Sequence, residues 1–121
     1  GIQTANPIAV AIDLLPTSES IRGDVEIFLN AQGWGMPIEE LTMKGIEGRA
    51  GVATFVEKLF ETRLQLQRRG ATEVHLFYAG PGAAAALIGL FFGNMIPVKI
   101  YQKRRPGPEG LYEYWAPLEK A

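Results

Sequence analysis

The sequence predicts a three-layer α/β domain with a mostly parallel sheet, and three observations support this prediction. Two apolar runs, Pro7–Asp13 and residues 74–79, are too short for buried helices and suit strands that are covered on both faces. An amphipathic stretch with helical spacing lies between them. The predicted elements follow the order β-α-β-α-β-α-β-β, which is typical of a parallel sheet with helices on both faces.

The first predicted strand is the apolar run Pro7–Asp13, which begins with a proline and ends with an acid. Thr17 and Ser18 follow at its carboxyl end, where open α/β sheets place their ligands. Either hydroxyl could bind a phosphate. Because Ser and Thr before an apolar-periodic segment more often cap the next helix, we favour the cap and keep phosphate binding as the alternative.

A helix and a short edge strand are predicted next. Apolar side chains recur at helical spacing before Gly33, which predicts a helix over residues 18–31. These side chains are Ile21, Val25, Phe28 and Leu29. Residues 38–43 predict a short strand at an exposed edge, because they include the acids Glu39 and Glu40. Adjacent side chains on a strand point to opposite faces, so these carboxylates cannot share a catalytic site.

The strongest predicted helix follows a glycine-rich segment, residues 44–51. That segment lacks both the Gly-x-Gly-x-x-Gly and the Gly-Lys-Ser/Thr pattern, so it does not support a dinucleotide or triphosphate site. An apolar stripe then predicts a helix packed on the sheet. Its members are Val52, Phe55, Val56, Leu59, Phe60 and Leu64. Arg68 and Arg69 before Gly70 suit the negative end of this helix, which explains both cations without a ligand.

The clearest functional signal is the segment EVHLFYAGPGAAAALIGLFFGN, residues 73–94. It predicts a buried strand, a tight turn at Gly80-Pro81-Gly82 and a slim helix that starts with Ala83 and three further alanines. A ligand above this turn would meet free N–H groups at the positive end of the helix dipole, which favours an anion. The alternative is that small residues only allow the helix to pack closely on the sheet.

His75 lies near the start of this predicted strand and is the chain's single histidine. No Ser nucleophile or acid stands at a recognisable catalytic spacing from it. We therefore expect a hydrogen-bonded core residue and assign it no chemistry.

Positive charge is densest near the end of the chain. Residues 96–102 predict a strand that leads into Lys103, Arg104 and Arg105, and residues 111–115 predict an antiparallel edge strand or hairpin partner. Nearby aromatic residues are Tyr101, Tyr112, Tyr114 and Trp115. Cations bind phosphates and aromatic faces stack on bases, so this composition suits a short oligonucleotide. The alternative, which composition alone favours, is a solvated hairpin whose aromatic side chains cover the sheet.

Composition narrows the classes of function. With 121 residues and 47% hydrophobic content, the chain is expected to form one domain over residues 1–121. The absence of cysteine excludes disulfides and thiolate chemistry, and it is consistent with a reducing cytoplasm. The single histidine disfavours a metal site. We therefore expect no metal or other cofactor. A net charge of −1 does not support binding to long nucleic acid, and no apolar run predicts membrane contact by this segment. Because the chain opens on Gly without Met, we expect neighbouring segments of a longer protein.

A family resemblance connects these features. The residues that carry it are His75-Leu76-Phe77, Ala79-Gly80-Pro81, Ala84, Gly89, Val98-Lys99-Ile100-Tyr101 and Tyr112-Glu113-Tyr114-Trp115. They resemble the carboxy-terminal part of a SAVED domain, a Rossmann-like sensor of cyclic oligonucleotides in bacterial anti-phage systems such as CBASS. SAVED domains are related to the CARF domains of CRISPR effectors. The likeness is clearest over residues 72–118, and the chain is long enough for about one of the family's two CARF-like halves.

The resemblance implies a Rossmann-like, CARF-like fold and a cytoplasmic, non-catalytic sensor of a cyclic oligonucleotide such as a cyclic oligoadenylate. Binding would activate an effector domain or partner subunit through conformational change or ligand-driven homo-oligomerisation. The implied ligand contacts are Gly80, Pro81, Gly82 and Ala83 at the turn, the cations Lys103, Arg104 and Arg105, and Thr17, Ser18 and Tyr101 as secondary contacts. The rival interpretations are a nucleotide-processing enzyme or ring nuclease, and a protein-interaction module.

Overall fold

The computed structural model describes residues 5–14, 21–43, 48–80, 82–92, 97–103 and 115–118. In these ranges the predicted order of strands and helices is confirmed. The strands are β1 (Pro7–Asp13), β2 (Ile38–Thr42), β3 (Glu73–Ala79), β4 (Val98–Lys103) and β5 (Trp115–Leu118). The helices are α1 (Arg22–Gln32), α2 (Gly48–Arg68) and α3 (Gly82–Phe92).

The described strands form one sheet in the order β2-β1-β3-β4-β5. The pairs β1–β2, β1–β3 and β3–β4 are parallel, whereas β5 is antiparallel to β4. This confirms the predicted mostly parallel sheet with an antiparallel strand at its carboxy-terminal end. The predicted end of the last strand at Trp115 was wrong, because β5 continues to Leu118. The other residues of that prediction, 111–114, lie outside the described ranges.

Two cores on opposite faces of the sheet give the three predicted layers. Successive side chains of a strand alternate between faces, so neighbouring residues of β1 enter different cores. One core combines β1 and β3 with α2 and α3, through Ile8, Val10, Ile12, Leu76, Phe55, Leu59, Leu66, Ile88 and Phe92. The other core, which we call the α1 core, packs β1 and β3 against α1 through Ala9, Ala11, Phe77, Val25 and Leu29. Both faces of the central strands are therefore covered, as their continuous apolar runs predict.

The start of α1 differs from the prediction. Its N-cap residue is Ile21, and no side chain makes a capping hydrogen bond there. The helix begins at Arg22 and not at the predicted residue 18, and the predicted cap by Thr17 or Ser18 falls on residues outside the described ranges. Ile21 is 3% exposed and belongs to the α1 core, so packing holds the start of the described helix. The predicted glycine stop is confirmed, since Gly33 adopts a left-handed conformation with φ 73°.

Helix α2 buries a narrower stripe than predicted. Phe55, Leu59 and Leu66 are buried, whereas Val52 is 40% exposed and Phe60 is 50% exposed. The prediction was wrong for those two. Val52 lies on the same helix row as Leu59 and Leu66 but in the first turns of α2, where no residue is buried, whereas Phe60 lies off that row. Arg63, on the same helix, donates to the carbonyl of Phe91 at 3.4 Å, near the carboxyl end of α3. This contact ties the two helices together.

Strand β2 is an edge strand of the sheet. The side chains of its two adjacent acids, Glu39 and Glu40, point to opposite faces, as predicted. Glu39 pairs with Arg69, which follows α2, and Glu40 lies 3.9 Å from Arg22 of α1. Exposed ion pairs of this kind contribute little to stability, so they explain the acids as surface residues rather than as a site.

Candidate ligand-binding rim

The chain path places a topological switch point between β1 and β3. From β1 the chain crosses through α1 to β2 on one side, and then through α2 to β3 on the other side. The helices that follow β1 and β3 are α1 and α3, and they cover opposite faces of the sheet. Open α/β sheets bind their ligands beyond the carboxyl ends of two neighbouring strands with this arrangement.

The carboxyl ends of β1, β3 and β4 meet at one edge of the sheet, which we call the carboxyl rim. Asp13 is in register with Ala79, and Tyr78 is in register with Gln102. One residue further along, the N–H of Leu14 donates to the carbonyl of Ala79 at 2.8 Å. From the sequence, right-handed crossovers between parallel strands predict that the loops after Asp13, Ala79 and Gln102 lie on or near one rim, and the strand pairing confirms that these strand ends meet.

Gly80, directly after β3, occupies a site with no room for a side chain. A Cβ at this position would lie 2.8 Å from the hydroxyl oxygen of Tyr78 and 2.9 Å from the Cβ of Leu14. Real Cβ atoms do not approach other heavy atoms so closely. Close packing on the inner side of the turn is thus enough to explain why position 80 is a glycine. A ligand would bind on the outer side of the turn.

Helix α3 begins at Gly82, two residues after Gly80. The first N–H groups of a helix have no acceptor within the helix, and together with the dipole they make this end positive. No acid lies in the first turn, so no side chain there competes with an anionic ligand. Anion binding by the backbone of Gly82 and Ala83 stays a prediction, and the start of α3 at Gly82 is the feature on which it depends.

Two rim residues were not singled out by the sequence analysis. Asp13 ends β1 with only 2% exposure, and Tyr78 is fully buried one residue before the end of β3. Burial raises the pKa of Tyr78 to about 12, so its hydroxyl stays protonated at neutral pH. An acid that directly ends an apolar strand was the available signal for Asp13. Nothing in the sequence distinguished Tyr78 from the other residues of its apolar run.

The predicted cationic contacts are only partly within the described ranges. Lys103 is the last residue of β4 and is in register with Trp115 of β5, which brings a cation and an aromatic residue to neighbouring backbone positions. Thr17, Ser18, Pro81, Arg104 and Arg105 lie outside the described residues, as do Tyr112 and Tyr114.

Tyr101, a predicted secondary contact, lies in the α1 core. Its ring stacks on Phe77 with centroids 4.8 Å apart, and only 6% of the residue is exposed. Its hydroxyl is 3.1 Å from Nδ1 of His75. Burial, with a smaller effect of the Glu73 carboxylate, raises the pKa of Tyr101. Ligand contact by Tyr101 stays a prediction, and it would require the ring to leave this core.

His75 is a hydrogen-bonded core residue, as predicted. It is 3% exposed, and its Nε2 lies 3.1 Å from a carboxylate oxygen of Glu73. Both contacts are satisfied when the Tyr101 hydroxyl donates to Nδ1 and Nε2–H donates to Glu73. The imidazole also packs on Trp34, with ring centroids 5.1 Å apart. His75 lies at the amino end of β3, at the opposite edge of the sheet from the carboxyl rim.

Within the described ranges, no group of three or more His, Asp or Glu residues could hold a metal ion. None of the described helices has the length and apolar character needed to cross a membrane.

Comparison with protein-family models decides the family. The model named SAVED, described as "SMODS-associated and fused to various effectors sensor domain", matches residues 2–114. The chain belongs to the SAVED family. The match includes the first half of the chain, where the sequence resemblance was only architectural. Comparisons with curated proteins and with solved structures gave no match. This SAVED domain is thus a sensor domain of a kind that is fused to effectors, and the suspected family and the Rossmann-like α/β fold are confirmed.

Proposed function

We propose that this SAVED domain binds a cyclic oligonucleotide second messenger, such as a cyclic oligoadenylate, at the carboxyl rim. The observation that carries the proposal is the start of α3 at the topological switch point, directly after a glycine turn. Binding activates an effector domain or partner subunit, through assembly or a change of conformation, in cytoplasmic anti-phage defence.

The chemistry of the carboxyl rim fits such a ligand. A cyclic oligonucleotide presents phosphates at regular spacing, and the N-terminal amides of α3 are suited to bind one of them. Lys103 ends β4 on the same edge of the sheet, and Arg104 and Arg105 follow it in the sequence. These positive groups are local in a chain of net charge −1, which favours a compact anion over a long nucleic acid.

The distribution of titratable groups favours a sensor over a nuclease. Cleavage of a phosphodiester needs a positioned base or a metal ion close to the phosphate. Among the described residues, His75 lies at the opposite edge of the sheet, and the Asp13 carboxylate at the rim is buried. These placements support the proposal of a sensor over that of a nuclease.

Thermal unfolding with cyclic di-, tri- and tetranucleotides tests the proposal. A ligand at a hundred times its dissociation constant stabilises the folded state by about 2.7 kcal/mol, which is a clear shift in melting temperature. Linear oligonucleotides of the same length and base serve as matched controls. The proposal is wrong if no cyclic compound shifts the transition.

Two further measurements on the same samples separate the rival functions. Linear products after incubation with a cyclic oligonucleotide would identify a ring nuclease. Association that light scattering detects equally with and without ligand would instead identify a protein-interaction module.

A further inference from the structure

Helix α3, GAAAALIGLFF, contains no charged or polar side chain. Ile88 and Phe92 are fully buried against the sheet, whereas Leu90 is 78% exposed. Because successive residues of a helix are about 100° apart, Leu90 points away from Ile88 and from the sheet. A helix that is apolar all round is typically covered on every side, so a partner is expected over the outer face of α3.

Helix α2 packs beside α3 on the same face of the sheet and extends this apolar surface. Arg63 reaches the carbonyl of Phe91, which identifies the side of α2 that faces α3. Phe60 lies one turn before Arg63 and is 50% exposed. The partly exposed apolar side chains of the two helices form one surface, which we call the α2–α3 face and which consists of Val56, Phe60, Leu64 and Leu90.

Two acids give one edge of the α2–α3 face a negative charge. Glu57 and Glu61 lie one turn apart on α2, beside Phe60, and both are exposed. Within the described residues neither forms an ion pair. Lys58 is two residues from Phe60 and therefore lies on the opposite flank of α2. Since α3 adds no charge, a partner with cations along one edge complements this face.

We propose that the α2–α3 face docks an amphipathic helix that has basic residues along one edge and belongs to an effector. The sensor domains of this family are fused to effectors, so an effector is the partner at hand. Docked helices of this kind bury apolar residues spaced three and four apart. In a symmetric pair of copies the same acids would stand on both sides of the contact, which disfavours a second copy as the occupant.

The docked helix would contact the same helix that is proposed to bind the ligand, because α3 begins at Gly82 on the carboxyl rim. A ligand at one end of α3 and an effector along its outer face are then linked through a single element. This link alone rests on the proposed function, and the docking surface does not.

Two synthetic helices of about four turns test the docking surface. Both have one stripe of leucines. One has lysines along an edge of that stripe, and the other has glutamates at the same positions. Fluorescence anisotropy gives their dissociation constants for the protein without any cyclic oligonucleotide, so a failure here is distinct from a failure of the proposed function. We expect the lysine helix to bind at least tenfold more tightly, on the order expected for a pair of acids that gain partners.

Three single variants locate the contact: Phe60→Ser, Leu90→Ser and the control Ile27→Ser. Ile27 is 63% exposed like the other two, but it lies on α1 at the opposite face of the sheet. Each change on the α2–α3 face should weaken the lysine helix about fivefold, while Ile27→Ser stays within about twofold of the parent. Circular dichroism should show an intact fold in all three, because the changed side chains are exposed.

Exchange of charge tests the acidic edge. In the double variant Glu57→Lys/Glu61→Lys, the glutamate helix should bind more tightly than the lysine helix, which reverses the order found with the parent. An unchanged order in this variant would overturn the assignment of the basic edge.

Three further results would overturn the proposal. The first is equal affinity of the parent for both synthetic helices, or binding of neither. The second is an Ile27→Ser protein that loses as much affinity as Leu90→Ser. The third is self-association of the ligand-free parent in sedimentation that Leu90→Ser abolishes, because a second copy would then be the occupant.

Discussion

At the scale of single residues, the α1 core contains a hydrogen-bonded chain that runs from Glu73 through His75 to Tyr101. His75 and Tyr101 are almost fully buried, and aromatic rings pack against them. Within the described residues no buried side-chain N or O atom is left without a hydrogen-bond partner. A polar chain of this kind stabilises the fold only while each member keeps its partner.

We therefore predict that His75→Phe destabilises the domain by about 1–3 kcal/mol, because it leaves the buried Tyr101 hydroxyl without its acceptor. Urea unfolding measures the loss. The double variant His75→Phe/Tyr101→Phe should recover part of it, since removing both polar partners can be nearly neutral. A double variant that loses as much as the two single changes added together would show that ring packing, and not this hydrogen bond, matters.

The second residue-scale prediction concerns the start of α3. Gly82→Asp should abolish binding of a cyclic oligonucleotide and leave the fold intact, because the carboxylate would occupy the place of the phosphate and repel it. Isothermal calorimetry measures binding, and circular dichroism checks the fold. Gly89→Asp is the matched control, because it adds the same charge later in α3, where a Cβ would meet no atom within 4 Å. Unchanged affinity in a folded Gly82→Asp protein would exclude a phosphate at this turn.

At the scale of elements, the carboxyl end of β4 is predicted to supply the positive charge of the site. Replacing Lys103, Arg104 and Arg105 with Ala should weaken ligand binding and flatten its dependence on salt concentration, because phosphate contacts release bound counterions. The control replaces Arg49, Lys58 and Arg68, three exposed cations of α2, and changes the net charge equally. Equal affinities and equal salt slopes in the two triple variants would show that the β4 cluster is ordinary surface.

The elements that the sequence predicted best are those whose own residues decide them. Strand β1 has the predicted bounds because a continuous apolar run ends at an acid, and α1 ends at Gly33 because glycine readily takes a left-handed conformation. The start of α1 depends instead on Ile21, which is placed by contacts with residues distant in sequence. Likewise, the exposure of Val52 and Phe60 depends on how α2 lies against the sheet. The spacing of apolar residues along the helix does not determine that placement.

At the scale of the whole molecule, the strand order creates the candidate site. The sequence placed three strand ends at one edge, but it could not show that β1 lies between β2 and β3, which puts the switch point beside Gly80. For the same reason the lack of space for a side chain at Gly80, beside Leu14 and Tyr78, was not predictable. Leu14 and Gly80 are far apart in the chain, and only the paired ends of β1 and β3 bring them together.

The last prediction is that ligand drives pairing or stacking of copies of this domain. The described rim has one glycine turn and one cationic strand end, whereas a cyclic oligonucleotide carries several phosphates at repeated spacing. Such a ligand can contact two rims at once, so each added contact favours the assembled form, and mass action couples binding to association. Sedimentation during titration with cyclic triadenylate should show the molar mass rising with ligand, while Gly82→Asp stays at its starting mass under the same conditions. Tight one-to-one binding by a monomer would contradict this prediction and would mean that a single rim encloses the ligand alone.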